Sequence, residues 1–175
     1  MGVRTFKDRK TGFTIVELLI VIVVIAILAS ISIVAYNGIQ SRARDTARKS
    51  DLSQLSNATK LYSVDKGDYA ELNCGNGSGS GWLANDYDGT GPYVPINTCL
   101  LSGGYLSKEL RDPSGLTSCS GVGCFAYMKY SCGAGTFYYA HLETLPQTSS
   151  DVDGTCSGAA SWDTSYGMNY YVKLN

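Results

Sequence analysis

One carboxylate stands inside a long apolar run. From Phe13 to Val34 the chain holds 22 residues, and Glu17 is the only charged one among them. As a helix that run extends roughly 33 Å at 1.5 Å per residue, enough to cross the hydrocarbon of a bilayer. A charge placed there costs a few kcal/mol, so Glu17 calls for a partner of opposite charge. Three further sets of residues could do chemistry. Six cysteines, Cys74, Cys99, Cys119, Cys124, Cys132 and Cys156, all follow the apolar run. Two Asp-x-Asp-Gly stretches place Asp86 with Asp88 and Asp151 with Asp153. The single histidine, His141, stands in an aromatic stretch that reads as a strand.

Each set has its chemistry. An even number of cysteines outside a membrane reads as disulfides, with fifteen full pairings open. Zinc is disfavoured: no Cys-x-x-Cys pair is present, and Cys119-x4-Cys124 with Cys132 has only His141 to complete it. Paired aspartates before a turn-forming glycine are the start of an oxygen cage for calcium. The twelfth positions of both loops are Asn97 and Trp162, so the bidentate Glu of an EF-hand is missing. Asp-Gly is also an ordinary turn sequence. No cofactor is therefore expected, with calcium at Asp86, Asp88, Asp151 and Asp153 as the alternative. No serine, cysteine or carboxylate converges on His141 by motif, so it reads as structural and no catalytic residue is expected.

The residues before the run complete a second pattern. Met1 to Gly12 carries Arg4, Lys7, Arg9 and Lys10 against Asp8, a net +3 on one side of the run. Lys10-Thr11-Gly12-Phe13-Thr14-Ile15-Val16-Glu17-Leu18 resembles the cleavage and methylation motif of type IV prepilins and the related pseudopilins. The resemblance is specific from Lys10 to Tyr36 and looser beyond. It implies that a membrane peptidase cuts between Gly12 and Phe13 and that Phe13 is then N-methylated. It also implies that Glu17 pairs with the terminal amine of a neighbouring subunit during filament assembly. An ordinary signal anchor would have no use for Glu17. A cleaved secretory signal would have a shorter core, usually 7–15 residues. Relatives often carry Gly and Pro where this chain has Ala26 and Val34, so the obvious helix break is missing. Ser30, Ser32 and Gly38 remain as loosening positions.

These features require certain elements. Leu52, Leu55, Thr59 and Tyr62 recur at helical spacing, so the helix is expected to continue from Phe13 to Lys66, about 80 Å in all, with this stripe against a sheet. Gly67 is the stop. Asn76 to Gly81 reads as a loop rather than a strand. Strands are expected at 125–130, 136–142 and 169–174, where aromatic and β-branched residues gather. Tyr105 to Pro113 resembles the approach to an Asp-Pro turn in type II-secretion-like pilins, and Tyr138 to Glu143 a family strand ending in Leu-Glu. The fold expected is α+β: a long N-terminal helix, its first half transmembrane, on a small antiparallel sheet of three or four strands stapled by disulfides. The parts are a leader (1–12), a transmembrane or filament-core half-helix (13–35), an amphipathic half-helix (36–67) and an extracytoplasmic domain (68–175).

Arg42, Arg44, Arg48 and Lys49 follow the apolar run, moderated by Asp45 and Asp51. Lipid, a neighbouring subunit or DNA could meet such a cluster. A solvated helix face with local ion pairs is the plainer expectation. The formal charge is −1, and −4 without the leader, which is no signature of a nucleic-acid binder by net charge. Tyr87, Tyr93, Tyr105, Tyr166, Tyr170 and Tyr171 could serve an adhesive surface or simply fill the sheet. Asn57 and Asn76 open glycosylation triplets, which are common by chance.

The expectation is a non-enzymatic pilus subunit that begins in the cytoplasmic membrane and ends in an extracellular homo-oligomeric filament. Its partners would be the prepilin peptidase, the membrane and the pilus assembly platform, with a host-cell surface or DNA beyond them. Adhesion, motility and DNA uptake are the roles to be considered. The alternatives are a type II secretion pseudopilin, a minor or competence pilin, and a membrane-anchored domain with binding or enzymatic function.

Overall fold

The computed structural model describes residues 12–67, 81–83, 94–115, 123, 125–146, 155–156 and 162–174. The chain divides into two compact units, Met1–Gln40 and Ser41–Asn175. Helix α1, Ile15–Lys66, runs through 52 residues. It begins two residues later than expected because Thr14 caps it. Glu17 N–H donates to Thr14 Oγ1 at 3.2 Å, and Glu17 Oε2 accepts from Thr14 N–H at 2.9 Å and from its hydroxyl at 2.8 Å. This is a capping box, legible as Thr-x-x-Glu. The helix ends as expected at Gly67, whose φ of 90° favours glycine and whose N–H closes the last turn on Ser63 O at 2.9 Å.

In the first unit every side chain described is exposed, and the helix is long and apolar enough to cross a membrane. Val24 and Ile25, on different faces, are 49% and 59% exposed. An apolar side chain forfeits about 1.5–3 kcal/mol when left in water, so this surface needs apolar surroundings. The helix continues unbroken past Ala26 and Val34, with Ser30 Oγ on Ile27 O and Ser32 Oγ on Leu28 O.

In the second unit a four-stranded antiparallel sheet has the order β1 (Gly81–Trp82), β2 (Met128–Cys132), β3 (Gly135–Ala140) and β4 (Tyr170–Leu174). Strands β2 and β3 form a tight hairpin in which Cys132 faces Gly135. Strand β3 is buried on both faces. Tyr138 and Ala140 join the α1 stripe of Leu52, Leu55, Ala58 and Tyr62. Phe137 and Tyr139 pack on the opposite face with Met128, Cys156 and Met168. Alternation along one strand thus serves two cores. The Thr59 and Tyr138 hydroxyls meet at 2.5 Å between helix and sheet. Thr59 is buried, which leaves the Asn57 triplet without an accessible hydroxyl.

The expected strands are each found, with shifted ends. The first begins at Met128 rather than Phe125, and the second ends at Ala140 rather than Leu142. Asn169 takes over where the last ladder stops: its side chain accepts from Leu142 N–H at 2.7 Å and donates to Leu142 O at 2.9 Å. Three elements were not expected. Gly81 belongs to a strand, paired with Lys129, rather than to the loop. Helix α2, Ile96–Ser102, buries Ile96, Asn97 and Leu100 in a stretch for which no element is expected. A further short helix, α3 (Trp162–Tyr166), precedes β4. Cys132 and Cys156 form a disulfide, and Cys99 is also disulfide-bonded. Cys74, Cys119 and Cys124 lie outside the described residues.

Candidate functional site

The Gly12–Phe13 peptide precedes the capped first turn of α1, so it is not enclosed in the helical ladder. Phe13 is 86% exposed. A Cβ added at Gly12 would meet nothing within 4 Å, so nothing in this chain's own packing demands glycine there. A demand for glycine must come from whatever approaches the bond. Glu17 is exposed one turn further on, its carboxylate turned back to Thr14. The apolar run therefore presents an accessible peptide, a single carboxylate and a surface that cannot remain in water.

A second polar constellation lies in the second unit, and it corrects the expectation of a solvated basic face. Arg48 is fully buried rather than solvated. Its Nε and Nη2 bind Asp112 Oδ2 and Oδ1 at 2.6 and 3.1 Å. Its Nη1 binds Asp45 Oδ1 at 2.8 Å and Glu143 Oε1 at 2.7 Å. Arg44 forks onto Glu143 through Nε at 2.7 Å and Nη2 at 2.5 Å, and Ser41 donates to the same carboxylate at 3.0 Å. Asp45 accepts the Glu143 and Thr144 N–H groups, each at 2.8 Å, and the Thr144 hydroxyl at 2.7 Å. One helix face thereby holds the Asp112 turn and the turn after β3. One pair is local, as the charge pattern suggests, Arg48 with Asp45 three residues earlier; the others reach across the fold to Asp112 and Glu143.

The electrostatics follow the geometry. The Arg44 hydrogen bond is the largest influence on Glu143 and, with Arg48 and Ser41, holds its carboxyl at about 2 despite burial. Burial pushes Asp45 up, but the Thr144 hydroxyl, two backbone N–H groups and Arg48 outweigh it, and its pKa is lowered. Burial works against the Arg48 cation as well, yet three carboxylates raise its pKa. The guanidinium also lies 4.4 Å from the Phe125 ring centroid, and Phe125 stacks on His141 at 4.6 Å. His141 is thus half-buried beside the network, just beyond the strand in which it was expected.

The other expected residues scatter. Arg42 and Lys49 are exposed, with Lys49 Nζ 5.4 Å from the Tyr170 ring. Tyr105 is half-buried and donates to Asp65 at 2.8 Å. Tyr166 and Tyr170 are half-buried, and Tyr171 is 37% exposed. Tyr87, Tyr93 and the four aspartates weighed for calcium lie outside the described residues. Among those described, no group of three or more His, Cys, Asp or Glu is arranged to hold a metal.

Comparison with known proteins bears on the first constellation above all. Residues 7–33 match the family described as the prokaryotic N-terminal methylation motif. The chain is 36% identical over 72 residues to the type IV major pilin protein PilA of Myxococcus xanthus, covering 41% of this chain and 33% of that one. It is 30% identical over 109 residues to the type II secretion system core protein G of Aeromonas hydrophila, covering 62% and 71%. The core protein G of Escherichia coli is 35% identical over 68 residues, covering 39% and 47%. The aligned segment thus spans a third of the first relative's length and over two thirds of the second's. No solved structure matches this chain.

Proposed function

We propose, from the premise that this chain belongs to the type IV pilin and pseudopilin family, that it is a structural subunit of a type IV pilus. A prepilin peptidase cuts the Gly12–Phe13 bond, and Phe13 becomes the N-methylated terminus. The observation that carries this reading is the exposed peptide at Gly12 placed directly before a helix whose first part, up to Val34, has Glu17 as its only charge and leaves its described apolar side chains exposed. Before assembly the apolar half-helix sits in the cytoplasmic membrane. During assembly it leaves lipid and buries against the same segment of other copies, so little apolar surface meets water at any stage. Glu17 exchanges its hydrogen bonds to Thr14 for the amine of a neighbouring Phe13, a charge pair that sets register in a low-dielectric core. Non-closing contacts between identical subunits generate a fibre, carried outward by an assembly platform in the membrane. The second unit forms the outer surface of that fibre. The protein acts by assembly rather than by catalysis, in adhesion, motility or DNA uptake.

Substituting Glu17→Ala tests this. Export and membrane insertion should be retained and filaments should disappear; normal pili from this variant would overturn the role of Glu17. A second reading, a type II secretion pseudopilin, is favoured by the longer alignment with core protein G, which extends into the second unit. Long surface filaments support the pilus, whereas short periplasmic fibres needed for protein secretion support the pseudopilin.

A further inference from the structure

The four bases after the apolar run have separate fates. Arg48 is buried among carboxylates, and Arg44 is held by Glu143. Lys49 stands over the Tyr170 ring. Arg42 is exposed, and its guanidinium makes no hydrogen bond or ion pair among the described residues; Thr46 Oγ1 donates to its carbonyl at 2.8 Å. In sequence Arg42 comes eight residues after Val34 and two after Gln40, where the first unit ends.

We propose that Arg42 binds the phosphate of an anionic phospholipid headgroup while the unassembled subunit is held in the membrane. This deepens the membrane-anchored reading above and rests on it. The hydrocarbon takes up about 20 helical residues, and the polar layer beyond it, several Å deep, takes up roughly the next three to five. Arg42 follows just past that layer, within reach of a long side chain that bends back toward it. A guanidinium presents forked donors that match phosphate oxygens, and a net-negative headgroup has no cation of its own to compete for them. Lys49 is seven residues further along the helix, about 10 Å, so it stands clear of the layer. Of the four bases, Arg42 is therefore the one that reads the headgroup.

The test uses the full chain reconstituted in vesicles of phosphatidylcholine alone and of equal parts phosphatidylcholine and phosphatidylglycerol. Flotation reports insertion. Spin-labelled lipids then report the preference of the protein's lipid shell for phosphatidylglycerol over phosphatidylcholine. The wild-type chain should float and prefer phosphatidylglycerol. Arg42→Gln should float equally and lose roughly fivefold in that preference, the equivalent of about 1 kcal/mol for one base near a charged surface. Arg42→Lys should keep most of the preference, and Lys49→Gln all of it. Wild-type preference in Arg42→Gln, or an equal loss in Lys49→Gln, would overturn the assignment. A wild-type chain that does not float would overturn the membrane reading itself and the lipid contact with it.

Discussion

Arg48 and Asp112, 64 residues apart in sequence, meet in a two-pronged ion pair with the arginine side chain wholly removed from solvent. The same guanidinium reaches Asp45 and Glu143, so one side chain ties α1 to two turns of the second unit. Arg48→Ala would leave three carboxylates facing one another without their shared cation. Removing one partner of a buried pair costs about 3–5 kcal/mol. Chemical unfolding of the detergent-solubilised chain should show a loss of that size, with Arg48→Lys intermediate because an ammonium cannot fork onto Asp112. A loss below about 1 kcal/mol, the range of an exposed pair, would contradict the buried network.

The acid side of that network sets a pH dependence. The Glu143 pKa falls from an unfolded value of 4.5 to about 2 in the fold. A depressed carboxylate contributes stability that is fully present above 4.5 and is lost as pH falls toward 2. Asp45, also lowered, adds a contribution of the same sign. The unfolding midpoint of the wild-type chain should therefore drop through this window, while Glu143→Gln should begin lower and drop less. Parallel pH profiles for the two chains would show that Glu143 is not held by Arg44 and Arg48.

The helix–sheet contact is tested at Tyr138. Its hydroxyl meets Thr59, which also donates to Leu55 O at 2.8 Å. Tyr138→Phe keeps the ring in the core and removes one buried hydrogen bond, so the expected loss is about 1 kcal/mol. Tyr138→Ala also opens a cavity and should cost about 3–5 kcal/mol. Equal losses from the two variants would mean that the ring is not packed as described.

The disulfide joins the end of β2 to Cys156 across a sequence separation of 24 residues. Replacing both cysteines with alanine should cost about 2–4 kcal/mol. The Phe137–Tyr139 face of β3 should loosen more than the Tyr138 face, because Cys156 packs on the former. Hydrogen exchange along β2 and β3 checks this, and uniform loss of protection over the whole sheet would contradict it.

What could be read from the sequence was local. The apolar run and the stripe of Leu52, Leu55, Thr59 and Tyr62 each depend on residues within a few turns of one another, and each appears in the fold; the Thr14–Glu17 cap is equally local, yet the expected helix start at Phe13 passed over it. The hairpin aromatics marked β3, although nothing in Gly-Thr-Phe-Tyr-Tyr-Ala told that both faces would be covered. The basic cluster is legible only in part: Arg42 and Lys49 are exposed and Asp45 pairs locally with Arg48, but the burial of Arg48 does not show in the sequence, for a physical reason. A charge run looks the same whether water or distant carboxylates surround it, and beyond the local Asp45 the partners of Arg48 lie 64 and 95 residues away. Asp112 stands in an Asp-Pro turn and Glu143 at the Leu-Glu end of an expected strand, yet no local rule links either to the helix. Helix α2 escaped notice because its seven residues lie in a stretch rich in turn formers.

The most direct measurement is intact-mass and N-terminal analysis of filaments sheared from cells that express this chain. A species that begins at methylated Phe13, with its cysteines oxidised, is the predicted result. A chain that still begins at Met1 or Gly2, held in the membrane and absent from every filament, would contradict it.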